Sequence, residues 1–237
     1  MGQGILLSGG ADVDFMIHGV FSYELFGQTL WITTTHVCVL IVFLIISAFC
    51  IAAGHMVKRA KEVPTGFQNV VELIVEMLDK MTAGVMGRHA VRYRNYIGTI
   101  FIFILFSNIS GLFGLRPPTA DYGVTFGLAI ISFTLIRYNE LKYQKLSGVL
   151  KNLCDPWPIW INIIGNLAVP VSLSLRLFAN ILSGTAIMAL IYALLSKIAY
   201  VWPAVLHVYF DLFSGAIQTY VFCMLTMTYV SQACGED

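Results

Sequence analysis

The chain has 237 residues, of which 58% are hydrophobic and 11% are charged, and its formal net charge is +1. Soluble domains carry about 25% charged residues, so this composition excludes an ordinary soluble domain and predicts a protein embedded in a lipid membrane. The near-neutral balance also excludes a basic surface of the kind that binds nucleic acid.

The first third of the chain predicts an outer segment, a membrane-spanning helix and a helix on the membrane surface. Residues 1–29 contain no Lys or Arg, and residues 30–57 form an apolar run long enough to span a bilayer as a helix. Residues 66–82 are amphipathic, which predicts a helix lying on the membrane surface. The apolar residues that recur there at helical spacing are Val70, Ile74, Met77 and Met81.

The rest of the chain predicts four further spans. Residues 96–115 and 122–136 are separated by a turn that contains Pro117 and Pro118, and residues 158–195 and 203–233 follow as two long apolar segments. A helix over 158–195 would measure about 57 Å, nearly twice the hydrocarbon thickness of a bilayer. That segment must therefore tilt steeply, bend, or lie partly along the membrane.

The distribution of Lys and Arg predicts the orientation of the chain. Seven of the 14 lie between Lys58 and Arg94, and four lie between Arg137 and Lys151. Because positive residues accumulate in cytoplasmic loops, both of these regions are predicted to be cytoplasmic. The N-terminus is then outside and the C-terminus cytoplasmic, with five crossings and the surface helix on the cytoplasmic face.

Arg176 lies inside an apolar segment, and Ser172, Asn180 and Ser183 share its side of a helix. An arginine at bilayer depth costs several kcal/mol and does not escape by losing its proton. One interpretation is a structural salt bridge to a carboxylate of the same chain. The other is an arginine that faces a water-filled cavity or the carboxylate of a partner chain, as ion-pathway residues do.

The last apolar segment carries a second polar column. Its members fall at i, i+4, i+7 and i+11, and they are His207, Asp211, Ser214 and Gln218. Such a column predicts one wall of an aqueous half-pathway, although Asp211 is also the candidate in-chain partner of Arg176. Asn162 and Asn166, nearer the cytoplasmic end, predict either a second polar access route or simple helix contacts.

No motif of a catalytic site is present: the sequence has no P-loop, GxSxG or HExxH pattern. Five scattered cysteines show no metal-binding spacing. The sequence therefore predicts ion movement rather than catalysis, with no cofactor and no metal.

Several stretches resemble subunit a of the F-type ATP synthase, of a bacterial kind. The most specific is residues 170–184, Pro-Val-Ser-Leu-Ser-Leu-Arg-Leu-Phe-Ala-Asn-Ile-Leu-Ser-Gly, and residues 217–230 resemble the final helix of that family. Asn108–Gly111, Pro117–Asp121 and the amphipathic stretch 64–78 are also similar to it, so the resemblance covers most of the chain.

The resemblance implies an all-α membrane protein whose last two helices form a long, steeply tilted hairpin against a rotating ring of small hairpin subunits. Each ring subunit would carry one carboxylate at mid-membrane. Arg176 matches the family's essential arginine, which would separate two half-channels for protons or sodium ions. Matching positions beside it or in the outer access path are Ser172, Asn180, Asp211 and Gln218. Peripheral-stalk b-type subunits are the other implied partners, in the inner membrane of a bacterial cell.

Three positions depart from the family pattern. Thr185 stands where relatives often have Glu or His, Asn166 where Glu is common and Val169 where Lys is common. The outer route would then rely on Asp211 and His207. The alternative functions are a stand-alone secondary transporter or channel gated by an Arg176–Asp211 pair, and an assembly scaffold whose polar residues only join helices.

Overall fold

A short antiparallel hairpin precedes the first helix. The structure is a computed structural model, and it describes residues 19–25, 28–58, 66–154, 159–194 and 202–235. Strand β1 covers Gly19–Leu25 and strand β2 covers Gln28–Thr33, with Leu25 opposite Gln28. Most of the outer segment predicted over residues 1–29 lies outside the described residues.

Helix α1 runs from Thr34 to Val57. The predicted start of helix at residue 30 is therefore wrong, since residues 30–33 belong to β2, and their β-branched and aromatic side chains favour a strand. Thr33 Oγ1 lies 2.7 Å from Nδ1 of His36, and this hydrogen bond accompanies the change from strand to helix. Most of the apolar surface of α1 is exposed, as expected of a helix in lipid. Its buried residues are Thr34, Thr35, Cys38 and Val42.

Helices α2 and α3 follow, over Phe67–Met86 and Ala90–Ile109. Helix α2 begins as predicted but continues past residue 82 until Gly87, whose positive φ of 49° ends it. Helix α3 begins before residue 96 because its first turns are held by side-chain contacts, among them a 3.0 Å ion pair between Arg94 and Asp79 of α2. It ends before residue 115 in a tight turn that closes at Gly114, with φ of 72°.

Helix α4 runs from Tyr122 to Cys154, well beyond residue 136, where the predicted span ends. Three of the polar residues that follow, Arg137, Asn139 and Glu140, are engaged by neighbouring side chains, which is compatible with a helix that continues. Arg137 and Glu140 form an ion pair of 2.5 Å on adjacent turns, and the buried side chain of Asn139 accepts a hydrogen bond from Tyr93 of α3.

The remaining chain forms a long helix and then a helix with an irregular middle. Helix α5 covers Ile159–Leu194, close to the predicted 158–195, and it continues through Pro170. The segment predicted as one helix over 203–233 consists of α6 (Trp202–His207), a π-helical segment (Val208–Ser214) and α7 (Gly215–Cys234).

The helices have the length and hydropathy of a multi-pass membrane protein, and the all-α prediction is confirmed apart from the short hairpin. Among the described residues, four helical stretches are long and apolar enough to cross a membrane. They are Thr34–Val57, Phe67–Phe113, Ile159–Tyr192 and Val205–Cys234. The predicted number of crossings and the orientation of the termini remain predictions.

The chain divides into two compact units. Unit 1 comprises residues 1–47, 102–125 and 176–219, and unit 2 comprises residues 48–101, 126–175 and 220–237. The core of unit 1 combines apolar side chains with a buried polar group, and its members include Ile104, Leu177, Ile181, Asn108, Thr119 and Thr219. The core of unit 2 includes Leu78, Ile97, Ala129, Ile136, Phe222, Met227 and Val230.

Candidate functional site

Arg176 lies on α5 in unit 1, and its side chain is exposed on an apolar helix. Its neighbour Leu175 is 47% exposed, whereas Leu177 is fully buried, so the arginine projects from the face that the chain itself leaves uncovered. Among the residues that the structure describes, no carboxylate lies within ion-pair distance of Arg176. The interpretation of Arg176 as half of a salt bridge to Asp211 is therefore wrong for this structure.

Asp211 is instead paired with His207. The carboxylate oxygen Oδ2 lies 3.0 Å from Nδ1 of His207, and the two side chains are 19% and 36% exposed. The turn that follows α3 also approaches Asp211, since a Cβ added to Gly111 would be 3.3 Å from Oδ2. Asp211 is therefore in contact with both the imidazole and the backbone of this turn.

Asn180 and Ser214 join α5 to the π-helical segment. Ser214 Oγ donates a 2.8 Å hydrogen bond to Oδ1 of Asn180. Gly184, one turn further along α5, makes room for this contact, since a Cβ there would already lie 3.6 Å from Phe210. The two segments thus pack closely from residue 180 to residue 184 of α5.

Two amide groups close to this contact are buried without a protein acceptor. Within the described part of the chain, neither Nδ2 of Asn180 nor Nε2 of Gln218 makes a hydrogen bond. Buried polar atoms are nearly always satisfied by protein or by ordered water. The pair therefore marks a place in unit 1 that is suited to water or to polar groups from another molecule.

The polar column predicted over His207–Gln218 does not follow one α-helical face, because Val208–Ser214 is π-helical. Contacts at the end of this segment explain the wider turn. Asn108 Nδ2 donates to the carbonyl of Gly215 at 3.0 Å and contacts Oγ1 of Thr219 at 3.3 Å. Gly215 is thereby fixed against Asn108, while Ser214 bonds to Asn180. Short π-helical turns of this kind are frequent at functional sites.

The residues predicted for the second access route lie in unit 2. Asn166 is half-exposed and accepts a 3.3 Å hydrogen bond from Nη2 of Arg137, whose Nη1 pairs with Glu140. Asn162 is also half-exposed, and Ser172 is exposed. For Asn166 the structure thus describes a helix contact to α4, one of the two interpretations of this residue.

Two features of these sites are not evident from the sequence. Tyr192 contributes a hydroxyl 3.1 Å from Nε2 of His207, although its position near a helix end is typical of an interfacial aromatic residue. Arg137 and Glu140 lie in a region that the sequence predicts as cytoplasmic and charged, yet Arg137 bonds to Asn166 and pairs with Glu140. Their i, i+3 spacing is the one signal that predicts the ion pair.

Known proteins resemble this chain along most of its length. A family model described as ATP synthase A chain matches residues 36–231. A protein of Propionigenium modestum named ATP synthase subunit a, sodium ion specific, is 36% identical over 197 residues, which cover 76% of this chain and 67% of the relative. ATP synthase subunit a of Moorella thermoacetica is 30% identical, with 73% and 79% covered. The protein of that name in Desulforamulus reducens is 41% identical, with 60% and 56% covered.

Proposed function

Since the chain belongs to the ATP synthase A chain family, and is thus an ion-translocating membrane subunit of the F-type ATP synthase complex, we propose that Arg176 is the fixed cation that successive carboxylates of a partner ring meet. The partner is a ring of small hairpin subunits with one mid-membrane carboxylate each. Peripheral-stalk b-type subunits complete the surroundings of the chain. The membrane is the inner membrane of a bacterial cell, with the N-terminus outside and the C-terminus cytoplasmic.

The observation that carries this proposal is the exposure of Arg176 without an ion pair from the described part of its own chain. A charged side chain in lipid is costly and normally pairs with another group. An arginine that projects from an apolar helix is therefore expected to pair with a carboxylate of a second chain. A ring of identical subunits supplies such a carboxylate repeatedly.

The polar residues of unit 1 support an access route on one side of the arginine. The route comprises five half-buried residues, which are His207, Asp211, Ser214, Asn180 and Gln218. His207 bonds to Asp211 and Ser214 bonds to Asn180, whereas the amide nitrogens of Asn180 and Gln218 have no acceptor among the described residues. Asn162, Asn166 and Ser172 are the residues we assign to the second, cytoplasmic route. An ion enters by the first route, neutralises a ring carboxylate, travels with the ring and leaves by the second.

Arginine suits the position between the two routes for a physical reason. Moving one charge through 100 mV is worth about 2.3 kcal/mol, so a direct leak between the routes would lose the energy that rotation collects. Arginine keeps its proton even in an apolar site, whereas lysine loses its proton when it is buried. A permanent cation therefore blocks the direct path and still attracts each ionised ring carboxylate.

The test is ATP-driven ion uptake by the complete ATP synthase in proteoliposomes. Arg176→Ala abolishes coupled uptake while the subunit remains in the purified complex, and Lys80→Ala, which removes an exposed cation of α2, leaves uptake unchanged. Uptake at the normal rate in the Arg176→Ala complex would refute the proposal. A stand-alone transporter, in contrast, moves its ion in liposomes that contain this chain alone.

A further inference from the structure

Tyr192, His207 and Asp211 form a continuous hydrogen-bonded series in unit 1. The hydroxyl of Tyr192 lies 3.1 Å from Nε2 of His207, and Nδ1 of the same ring lies 3.0 Å from Oδ2 of Asp211. Both ring nitrogens are therefore engaged, on opposite sides, which fixes the orientation of the imidazole. The series leads from the exposed hydroxyl of Tyr192 to a more deeply buried carboxylate.

Among the described residues, few other titratable groups lie on the elements that carry or contact the series. The turn Ser110–Phe113, which packs on the π-helical segment, carries no titratable residue. Tyr192 comes from α5, Asp211 lies one turn from His207, and Tyr209 on the same segment stacks on Phe213. His207 thus faces one hydroxyl and one carboxylate, which is the arrangement that orients an imidazole for proton transfer.

We propose that Tyr192 is a positioning residue of a proton relay, in which it orients His207 so that the imidazole passes protons to and from Asp211. The inference rests on the proposed function and adds to it the identity of the translocated ion. An imidazole accepts a proton on one nitrogen and releases another from its second nitrogen. A ring bonded on both nitrogens offers no oxygen ligand of the kind that hard metal cations bind, so the step through His207 transfers a proton.

One transfer moves a single proton from water to Asp211 through the two nitrogens of His207. In the resting state Nδ1–H of His207 donates to the ionised Asp211 and Nε2 accepts from the hydroxyl of Tyr192. A proton from water binds Nε2, the hydroxyl rotates to become the acceptor, and the ring becomes an imidazolium. The Nδ1–H bond then breaks, an O–H bond forms on Oδ2 of Asp211, and both residues become neutral. Asp211 then releases this proton to an ionised carboxylate of the partner ring. The resting state returns when Nε2 of His207 gives its proton to water and Nδ1 takes one proton from water.

The place of Tyr192 on α5 agrees with an external end of the route. Tyr192 follows Arg176 by about 24 Å of helix at 1.5 Å per residue, close to the end of α5 at Leu194. The hydroxyl therefore does not act at the ring carboxylate. It acts on His207, and any effect of its removal must pass through that residue.

A double-mutant cycle on the complete ATP synthase in proteoliposomes tests the relay. The variants are Tyr192→Phe, His207→Gln and the two together, and the measured quantity is the initial rate of ATP-driven proton uptake in sodium-free buffer. Tyr209→Phe is the matched control, because it also removes an exposed hydroxyl, and within the described structure that hydroxyl makes no hydrogen bond. The content of this chain in each purified complex shows that assembly is intact.

We expect His207→Gln to lower proton uptake about a hundredfold, the scale of a positioned acid–base group. Tyr192→Phe removes one hydrogen bond and lowers uptake about fivefold. The double variant equals His207→Gln alone, since Tyr192 acts through the imidazole, and Tyr209→Phe is unchanged.

Three results would overturn the relay: normal uptake in Tyr192→Phe, effects of the two substitutions that multiply in the double variant, or uptake that requires sodium ions. If His207→Gln does not assemble, the relay is tested by Tyr192→Phe and Tyr209→Phe alone. It is supported if proton uptake falls only in Tyr192→Phe, and it is refuted if uptake is the same in both. Arg176→Ala distinguishes a failure of the relay from a failure of the proposed function. Loss of uptake there with normal uptake in Tyr192→Phe refutes the relay alone, whereas normal uptake in Arg176→Ala refutes the proposed function.

Discussion

Ser214 Oγ donates a hydrogen bond of 2.8 Å to Oδ1 of Asn180, and this bond joins the π-helical segment to α5 one turn beyond Arg176. Asn180 has no second anchor for its amide group among the described residues, since its Nδ2 is buried without an acceptor. The orientation of the Asn180 side chain therefore depends on a single hydroxyl.

Ser214→Ala tests this dependence. It leaves Oδ1 of Asn180 without its donor, and the loss of one hydrogen bond of this kind costs about 1 kcal/mol. We expect the midpoint of thermal inactivation of the complete complex to fall by about 2–4 °C. Ser183→Ala is the control, because the exposed Ser183 hydroxyl donates only to the carbonyl of Asn180 in its own helix. Equal shifts in the two variants would contradict a specific role of the bond.

A second prediction concerns the close approach of Gly215 to Asn108. A Cβ added to Gly215 would lie 2.9 Å from Cβ of Asn108, whose side chain is fully buried and bonded to Thr119, Thr219 and the Gly215 carbonyl. Gly215→Ala therefore forces a shift in a close-packed polar group, which costs about 1–3 kcal/mol. We expect less assembled subunit in membranes and a lower inactivation temperature.

Gly127→Ala provides the matched comparison, since a Cβ at this position of α4 meets no atom within 4 Å. The substitution removes the helix penalty of glycine, about 1 kcal/mol, and leaves the neighbours in place. Assembly at or above the wild-type level is expected. If both alanine variants assemble equally well, the contact between Gly215 and Asn108 does not limit the approach of the start of α7 to the end of α3.

Hydropathy predicted the apolar helices because each helix that crosses lipid must itself contain about 20 mostly apolar residues, whatever its neighbours are. Helix α5 and the amphipathic α2 were predicted nearly to their ends, and Arg176 stood out as a cation within an apolar run. The residues predicted for the first access route all lie in unit 1, where Asp211 bonds to His207 and Asn180 to Ser214.

The features that the sequence did not predict depend on contacts between distant residues. The π-helical turn follows from simultaneous bonds of Ser214 to Asn180 and of Asn108 to Gly215, and no local preference of Val208–Ser214 encodes it. Helix α4 continues past residue 136 because Arg137 and Glu140 neutralise each other. Tyr192 was not singled out, since a tyrosine near a helix end gives no sign that its hydroxyl meets His207.

A third prediction compares two ion pairs of unit 2. Arg137 and Glu140 have side chains that are 31% and 14% exposed, whereas Lys80 and Glu76 are 76% and 61% exposed at 2.6 Å. Arg137→Met leaves the carboxylate of Glu140 without its partner in a largely buried place, and the Asn166 contact is lost as well. We expect a destabilisation of about 2 kcal/mol, below the 3–5 kcal/mol of a fully buried pair.

The double variant Arg137→Met with Glu140→Gln recovers much of this loss, because it removes the unpaired charge. Lys80→Met, at the exposed pair, leaves the stability nearly unchanged, because solvent screens that pair. Thermal inactivation of the complete complex measures all three variants. An additive double variant would show that the two side chains act independently, which their 2.5 Å contact does not allow.

The last prediction concerns the hydroxyl of Tyr93, which is buried in unit 2. It donates to Oδ1 of Asn139, and Nδ2 of that asparagine donates to the carbonyl of Leu135 at 2.8 Å. Tyr93 and Asn139 are 4% and 1% exposed, so water does not replace a lost donor. Tyr93→Phe therefore leaves a buried acceptor unsatisfied, at a cost of about 1–3 kcal/mol.

The double variant Tyr93→Phe with Asn139→Leu removes donor and acceptor together, and such replacements are nearly neutral. We expect it to inactivate at a higher temperature than Tyr93→Phe alone. Tyr138→Phe, at a side chain that is 57% exposed, is the control and leaves the temperature unchanged. Were the double variant less stable than the single one, Asn139 would contribute to the packing of α3 on α4 mainly through its shape and its bond to Leu135, and not as the acceptor of Tyr93.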